Sequence, residues 1–191
     1  MRFLRIIIVI ISFAMLNGQI SLPTFQAVNA TQNTSSATPE NPLQSSGTSV
    51  AGTNNGWQYL LGYRFTPQVN GTITQLGGYY NGTKTVYLWR WSDGLYLGSV
   101  SNSSSNNWTY TNLDNSISVS SDTEYYVAVA INGSGGSYFG LNLPQTYGNI
   151  RVNYTAYKSG NFNSTTFPSS FTVSNRTNYT YGLPDITFVP D

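Results

Sequence analysis

The sequence contains neither cysteine nor histidine. The absence of cysteine excludes disulfides, thiolate nucleophiles and zinc–thiolate sites. Without histidine, acid–base chemistry would fall on tyrosine or on a few carboxylates. These carboxylates are Glu40, Asp93, Asp114, Asp122, Glu124, Asp185 and Asp191. We therefore expect no enzyme activity, no metal site and no cofactor other than covalently attached glycan.

One pair of carboxylates keeps other interpretations open. Asp122 and Glu124 open a single predicted strand and share one of its faces, because side chains alternate along a strand. We interpret them as solvent-exposed residues at the beginning of the strand. An acid–base pair remains an alternative, and so does a set of calcium ligands, although no Asp-x-Asp-x-Asp loop accompanies them.

Charge is also scarce, with eight basic and seven acidic side chains among 191 residues. Globular proteins usually carry about a quarter charged residues. Adaptation to an acidic exterior is one explanation, because acid protonates the carboxylates on which ion pairs depend. A glycan coat that makes charge unnecessary is another, and both can hold. The isolated basic residues indicate that the chain does not bind nucleic acid.

The N-terminus resembles a signal peptide. Arg2 and Arg5 precede an uncharged, mostly apolar run at residues 6–16, which is too short to span a bilayer. We expect residues 1–30 to be removed, with cleavage after Gly18 as the alternative. Since no later segment is apolar enough to act as an anchor, we expect secretion to the cell surface without a stable membrane anchor.

Asparagine followed two residues later by Ser or Thr, the acceptor signal for N-linked glycan, occurs eleven times. Beyond Ala30, composition alone predicts about five such sequons, whereas ten are present. This excess indicates a heavily glycosylated surface protein. The predicted sites are Asn33, Asn70, Asn81, Asn102, Asn107, Asn132, Asn153, Asn163, Asn175 and Asn178.

Residues 31–55 consist mainly of Ser, Thr, Asn, Gln, Pro and Gly, a composition that does not fold by itself. We predict a polar, extended tail there, followed by one domain at residues 56–191. Such a tail can complete an open sheet edge of a neighbouring molecule, or it can be a disordered, glycosylated leader. The candidate donor residues are Thr31, Thr34, Ala37, Leu43 and Val50. Cleavage after Gly18 would add a more apolar stretch to this donor.

From Trp57 onward, short runs rich in aromatic and β-branched residues alternate with turn residues, which is typical of an all-β sandwich or barrel. We predict a single immunoglobulin-like or pilin-like β-sandwich. The predicted strands are 57–66, 72–80, 83–91, 95–101, 108–112, 116–119, 124–131, 138–143, 150–157, 171–173 and 185–189.

Two predicted strands have apolar residues on both faces and should lie centrally in a sheet. Val86 and Leu88 lie opposite Trp89 in strand 83–91, and strand 124–131 alternates in the same way. Four dipeptides with a preference for type I′ turns predict hairpins. They are Asn70-Gly71, Asn81-Gly82, Asp93-Gly94 and Asn132-Gly133.

The many aromatic residues allow two interpretations. The groups Tyr79-Tyr80, Trp89/Trp91 and Tyr125-Tyr126 could form platforms on which sugars stack. Aromatic residues on strands are more often core residues or cross-strand pairs, which is our first interpretation.

Several motifs resemble a widespread secreted β-sandwich domain of unknown function, which bacteria append to cell-surface and carbohydrate-active proteins. They are Leu61-Gly62-Tyr63-Arg64-Phe65-Thr66, Gly71-Thr72-Ile73-Thr74, Thr85-Val86-Tyr87-Leu88-Trp89, Phe167-Pro168 and Asp185-Ile186-Thr187-Phe188. The resemblance covers residues 57–190, implies a sandwich and carries no catalytic residues.

The overall design is also similar to the subunits of archaeal thread filaments from thermoacidophiles: a signal peptide, a polar tail, one cysteine-free sandwich and dense sequons. That resemblance implies subunits joined head to tail by donor-strand complementation under a glycan coat. We therefore expect a homopolymeric extracellular filament, which could also contact surface glycans or other cells. The alternative is a monomeric cell-surface module for carbohydrate binding or adhesion.

Overall fold

The alternation of apolar and polar residues produces strands along almost the whole of the chain that can be described. The structure, a computed structural model, describes residues 37–174 and 179–191. Its elements are α1 (Pro42–Ser45), β1 (Gly52–Asn54), β2 (Trp57–Pro67), β3 (Gly71–Arg90), β4 (Tyr96–Val119), β5 (Tyr125–Gly133), β6 (Gly136–Phe139), β7 (Gln145–Tyr147), β8 (Ile150–Ser159), β9 (Thr172–Ser174), β10 (Thr180–Tyr181) and β11 (Pro184–Pro190). The fold is an all-β sandwich, as predicted.

All strand pairs are antiparallel and form two sheets. The large sheet has the order β11-β3-β5-β2-β8-β7, with β4 paired to β3 and β9 paired to β8. The small sheet has the order β1-β6-β10. Apolar residues from both sheets, including Phe65 and Phe188 of the large one and Phe139 of the small one, meet in the main core.

β3 and β4 form a long two-stranded ribbon that links different parts of the large sheet. The first half of β3 pairs with β11, and its second half pairs with β5. β4 follows β3 almost from end to end, from Gly71↔Val119 to Trp89↔Tyr96. The ribbon therefore connects β11, which carries the site described below, to the centre of the sheet.

The prediction of central strands is confirmed. β5 pairs on one side with β2 and on the other with β3. Val127, Val129 and Ile131 enter the main core, because alternate residues of a strand face the same side. Tyr126 and Ala128 lie in a second apolar cluster on the opposite face.

The second cluster is covered by the loop after β8. Phe162 and Phe167 pack edge-on against Trp89, at ring-centroid distances of 6.0 and 5.9 Å. Phe171 packs against Tyr126 at 5.1 Å. The indole of Trp89 donates a hydrogen bond of 2.9 Å to the carbonyl of Thr165, so the loop satisfies its polar atom as well.

Three of the four predicted hairpins are wrong. Asn81-Gly82 lies inside β3, where the register shifts between Tyr80 and Asn81 and the strand continues. A β-bulge accommodates the extra residue, so the strand continues without a turn. Asn70-Gly71 and Asn132-Gly133 join strands that do not pair with each other. Asp93-Gly94 does close a hairpin, between β3 and β4, with Gly94 at a φ of 68°.

Because of such bulges, segments that we predicted as separate strands form single, longer strands. The predicted strands 72–80 and 83–91 are one strand, β3, and the predicted strands 95–101, 108–112 and 116–119 are one strand, β4. Residues rich in Ser and Asn predict turns, but here their backbones extend the ladder along β3. Three short strands, β1, β7 and β10, have no counterpart in the prediction.

The second half of the predicted tail is part of the sandwich. Residues 40–54, called the N-terminal segment below, contain α1, pair with β6 and β11, and bury Leu43 in the main core. This polar stretch therefore packs against the domain that we predicted at residues 56–191, because a single leucine and backbone hydrogen bonds fix it there.

The burial of Leu43 predicts a large loss of stability on truncation. Leu43 is 1% exposed and Leu95 is 47% exposed, so the two leucines form a matched pair. We expect Leu43→Ala to lower the free energy of unfolding by about 2–5 kcal/mol, since it leaves a cavity. Leu95→Ala should change it by about 0.5 kcal/mol or less. Urea unfolding measures both, and equal effects would contradict the placement of Leu43.

Candidate functional site: where the N-terminal segment docks

The candidate site is the surface of the sandwich that holds the N-terminal segment. It consists of the outer edge of β11, one edge of β6 and the side chain of Asp185. Strand edges present unpaired backbone groups, which proteins cover or block. Here the N-terminal segment covers both edges.

Glu40 and Asn41 cover the edge of β11. The amide of Glu40 donates to the carbonyl of Phe188 at 2.7 Å, and the amide of Phe188 donates back at 2.9 Å. The side-chain amide of Asn41 donates to the carbonyl of Ile186 at 2.9 Å. The carboxylate of Glu40 also accepts two hydrogen bonds from Asn149, at 2.7 and 2.8 Å. Backbone and side chains of the segment therefore replace a neighbouring strand.

The other end of the segment pairs with β6. Gly52, Thr53 and Asn54 lie opposite Tyr138, Ser137 and Gly136. The side chain of Tyr138 packs closely over Gly52, and a Cβ at position 52 would lie 2.9 Å from its hydroxyl oxygen. Between the two anchored ends, Val50 packs against the main core.

Asp185 is the polar centre of the site. It is fully buried and accepts five hydrogen bonds. The donors are the amides of Leu43 (3.2 Å), Gln44 (3.0 Å) and Ile186 (3.0 Å) and the hydroxyls of Tyr63 (3.0 Å) and Tyr110 (2.9 Å). Two donors belong to the N-terminal segment and three to the rest of the sandwich. One carboxyl group thus joins the two.

Burial raises the pKa of Asp185 to about 6, although the hydrogen bonds from Gln44, Leu43, Ile186 and Tyr110 lower it. A carboxylate away from water loses its hydration, and this disfavours the charged form. Desolvation and the neighbouring Asp185 likewise raise the pKa of Tyr63 and of Tyr110. In the sequence, Asp185 appeared as one of seven carboxylates and as the first residue of the motif Asp185-Ile186-Thr187-Phe188, with no role assigned to it. Its position between Pro184 and Ile186 in an apolar strand was the available signal.

The candidate donor residues divide into two groups. Leu43 and Val50 lie in the docking site, and Ala37 is half-buried at the start of the described chain. Thr31 and Thr34 lie outside the described residues. Leu43 and Val50 thus dock on their own chain. From the sequence we expected them to complete an open sheet edge of a neighbouring molecule.

Five of the predicted glycosylation sites lie exposed on the surface: Asn70, Asn81, Asn107, Asn132 and Asn163. At Asn70 the side-chain oxygen accepts a 2.9 Å hydrogen bond from the amide of Ser121. That oxygen is not the atom that carries a glycan, since the sugar is attached to the amide nitrogen. Asn33, Asn175 and Asn178 lie outside the described residues.

Asn102 and Asn153 are buried instead, with 2% and 9% exposure. The amide nitrogen of Asn102 donates to Thr111 at 2.9 Å, and its oxygen accepts from Tyr80 at 2.5 Å. The amide nitrogen of Asn153 donates to Thr66 and to Glu124, at 2.9 and 2.8 Å. In both residues the nitrogen that would carry the sugar is used inside the protein.

Asp122 and Glu124 have separate surroundings. Asp122 is exposed and has a φ of 58°, whereas the carboxylate of Glu124 forms an ion pair with Arg64 and accepts from Asn153. The guanidinium of Arg64 also lies over the ring of Trp91, 4.2 Å from its centroid. Glu124 directly precedes β5, and through these contacts it is joined to Arg64 of β2 and Asn153 of β8. Among the described residues, no group of three or more acidic side chains is arranged to hold a metal ion.

The aromatic groups proposed as sugar platforms are mostly core. Trp89, Tyr80 and Tyr126 are fully buried, and Tyr125 is 5% exposed. Tyr79 and Trp91 are partly buried and pack against the two apolar clusters. The sequence alone could not show that the face with Trp89 and Tyr126 is covered. The covering loop follows β8, about 70 residues after Trp89.

Comparison of the chain with known protein families finds no matching family, and comparison with curated proteins finds no relative. In the part of the chain that the structure describes, no helix is long and apolar enough to cross a membrane.

The burial of two sequons predicts a selective pattern of glycosylation. We expect glycan at exposed sites such as Asn70 and Asn163, and none at Asn102 and Asn153, because the nitrogens of the latter are inaccessible in the folded protein. Mass spectrometry of glycopeptides from the natively expressed protein measures the occupancy of each site. Asn70→Gln is a matched control that should remove one glycan. Substantial occupancy of Asn102 or Asn153 in folded protein would contradict this pattern.

Proposed function

We propose that the chain is the structural subunit of a secreted, N-glycosylated extracellular filament. In this filament the N-terminal segment of each subunit docks on the next one, so identical subunits join head to tail. The observation that carries the proposal is the docking site itself: a short terminal segment covers two strand edges and places Leu43 in the main core.

The contacts of this segment do not depend on its being in the same molecule. Leu43 and Asp185 are 142 residues apart in sequence, and Asn41 and Thr187 are 146 apart. The same segment of another copy could make each contact equally well, which is the basis of domain swapping. Since the donor and the acceptor surfaces differ, a one-way exchange is heterologous, and it generates a fibre when the rotation between successive subunits does not close into a dimer or ring.

A short connection allows the exchange. Asn55 and Gly56 are exposed and link β1 to β2, and Gly56 has a φ of 102°. Residues 40–54 keep their docked conformation on the neighbour, so only this connection spans the gap, and two extended residues reach about 7 Å. The exchange therefore requires subunits that are in direct contact.

The exposed sequons are compatible with such joints. Among the described residues, none of Asn70, Asn81, Asn107, Asn132 and Asn163 is a hydrogen-bond partner of residues 40–54. Glycans at these positions would break no hydrogen bond of the docked segment. The surface also depends little on charge, with two ion pairs in the described part of the chain. A glycan-coated filament in an acidic exterior needs joints that tolerate glycans and a stability that does not depend on ion pairs.

Because the chain has no cysteine, a designed disulfide tests the exchange directly. Thr53 and Ser137 lie opposite each other in the β1–β6 pair, and paired antiparallel residues are close enough for a disulfide. Among the described contacts the hydroxyl of Ser137 has no hydrogen-bond partner, so Ser137→Cys sacrifices none. We expect Thr53→Cys/Ser137→Cys filaments, assembled under reduction and then oxidised, to give a ladder of covalent oligomers on non-reducing gels.

The two single-cysteine variants are the controls and should give no ladder. Filaments that contain only intramolecular disulfides would show that the segment stays on its own subunit and that another part of the chain joins them. Electron microscopy that finds no filament from natively secreted protein would overturn the proposal as a whole.

A second candidate function, carbohydrate binding by a surface module, is favoured by one cluster. Trp57, Tyr138, Tyr179 and Tyr181 lie together at the small sheet with ring centroids 5.8–6.2 Å apart, and Tyr179 is 41% exposed. Aromatic rings of this kind offer faces for sugars. Glycan-array binding that is lost in Tyr179→Ala and kept in Tyr96→Ala, together with an absence of filaments, would favour this function.

A further inference from the structure

We infer that Asp185 is a proton-operated latch for the N-terminal segment: the protonated carboxyl holds residues 41–45 docked, and its ionisation loosens them. The carboxyl group is fully buried between the segment and the sandwich and accepts hydrogen bonds from both. A change in its charge therefore acts on the contact between the two.

The protonated form has a place for its proton. The hydroxyl of Tyr110 lies 2.9 Å from Oδ2 of Asp185 and 3.0 Å from Oε1 of Gln44. When Oδ2 carries a proton, it can donate to the oxygen of Tyr110, whose own proton then points to Gln44. The hydroxyl rotates without any change in heavy-atom positions, and the chain from Asp185 to Gln44 stays connected. This relay ties the carboxylic acid to the N-terminal segment.

The ionised form is costly in the docked state. Among the described contacts, no Lys or Arg side chain binds Asp185, so five neutral donors alone compensate the negative charge. Departure of residues 41–45 removes the cover over the carboxylate and admits water. Opening removes the hydrogen bonds from Leu43 and Gln44, which favour the carboxylate, but it also restores hydration, and desolvation is the larger of the two effects on the pKa of Asp185. We therefore infer that opening is more favourable for the charged carboxylate than for the neutral acid.

The titratable groups around Asp185 give the direction of the effect. Tyr63 from β2 and Tyr110 from β4 face it, and their own raised pKa values keep them neutral in acid and at neutral pH. The carboxylate of the segment itself, Glu40, faces Asn149 instead. Asp185 is thus the ionisable group that accepts hydrogen bonds from both the segment and the rest of the sandwich.

The pKa of Asp185 differs between the docked and the open state, and this links docking to pH. In the docked state the pKa of Asp185 is raised to about 6, and in the open state it moves toward its ordinary value of 3.8. Well below 3.8 the carboxyl is protonated in both states and docking is strongest. Docking weakens as the pH rises from about 4 to about 6, because the open state has lost its proton while the docked state still holds it, and it levels off above about pH 6. A difference of about two pKa units corresponds to up to about a 100-fold change in the opening equilibrium.

The regulatory consequence rests on the proposed function. If the segment docks on a neighbouring subunit, each joint of the filament contains one such latch. The joints are then tightest in an acidic exterior and loosen near neutral pH. This is a pH response opposite to that of a contact held by ion pairs.

Hydrogen exchange of the full secreted chain, kept monomeric by dilution, tests the latch without reference to filaments. We expect protection of the Leu43 and Gln44 amides, corrected for intrinsic exchange, to fall by up to about 100-fold from pH 4 to pH 7.5. Amides of β5 should show no comparable fall. Asp185→Asn, which cannot ionise, should make the protection of both segment amides independent of pH.

Glu40→Gln is the matched control and should keep the pH dependence, because Asp185 is intact. Wild-type protection at Leu43 and Gln44 that stays constant or rises with pH would overturn the latch, and so would a pH dependence that survives in Asp185→Asn. If Asp185→Asn does not fold, the pH dependence of protection at Leu43 and Gln44 in the wild type, compared with that of the β5 amides, still tests the latch. A pH-dependent segment in a protein that forms no filaments would support the latch and refute the proposed function.

Discussion

The structure depends on covering the outer edge of β11. This strand ends the large sheet, and its residues Ile186 and Phe188 also contribute to the main core, so neither its edge nor its inner face can be left open. The N-terminal segment meets this need with backbone pairing at Glu40, the side-chain amide of Asn41 and the burial of Leu43. A segment that is essential to the core and attached by a two-residue connection is well suited to exchange between subunits.

The sandwich achieves its stability with very little charge and no disulfides. Two apolar layers hold the large sheet: the main core on one face and the cluster around Trp89 and Tyr126 on the other. Buried polar residues such as Asn102 and Asn153 are satisfied by neutral partners or, for Asn153, by one shared carboxylate. The contacts with neutral partners do not depend on pH, and at Asp185 we infer that protonation favours the docked state.

Sequence reasoning recovered what depends on local periodicity. The alternation around Val127 and Tyr126 identified a central strand with two buried faces. It failed where long-range pairing overrides local preference: Asn81-Gly82 has the composition of a turn, yet the ladder between β3 and β4 carries it through as a bulge. The docking site was not predicted for a similar reason. Asp185 and Leu43 are 142 residues apart, and nothing in either sequence neighbourhood indicates the other.

We propose that the N-terminal segment docks on a neighbouring subunit. Electron cryo-microscopy of natively secreted filaments, at a resolution that traces the chain through Asn55 and Gly56, would show where each segment docks. We expect Leu43 to fill the core of the next subunit and its amide to donate to Asp185 of that subunit. Continuous density that returns Leu43 to the core of its own subunit would contradict the claim.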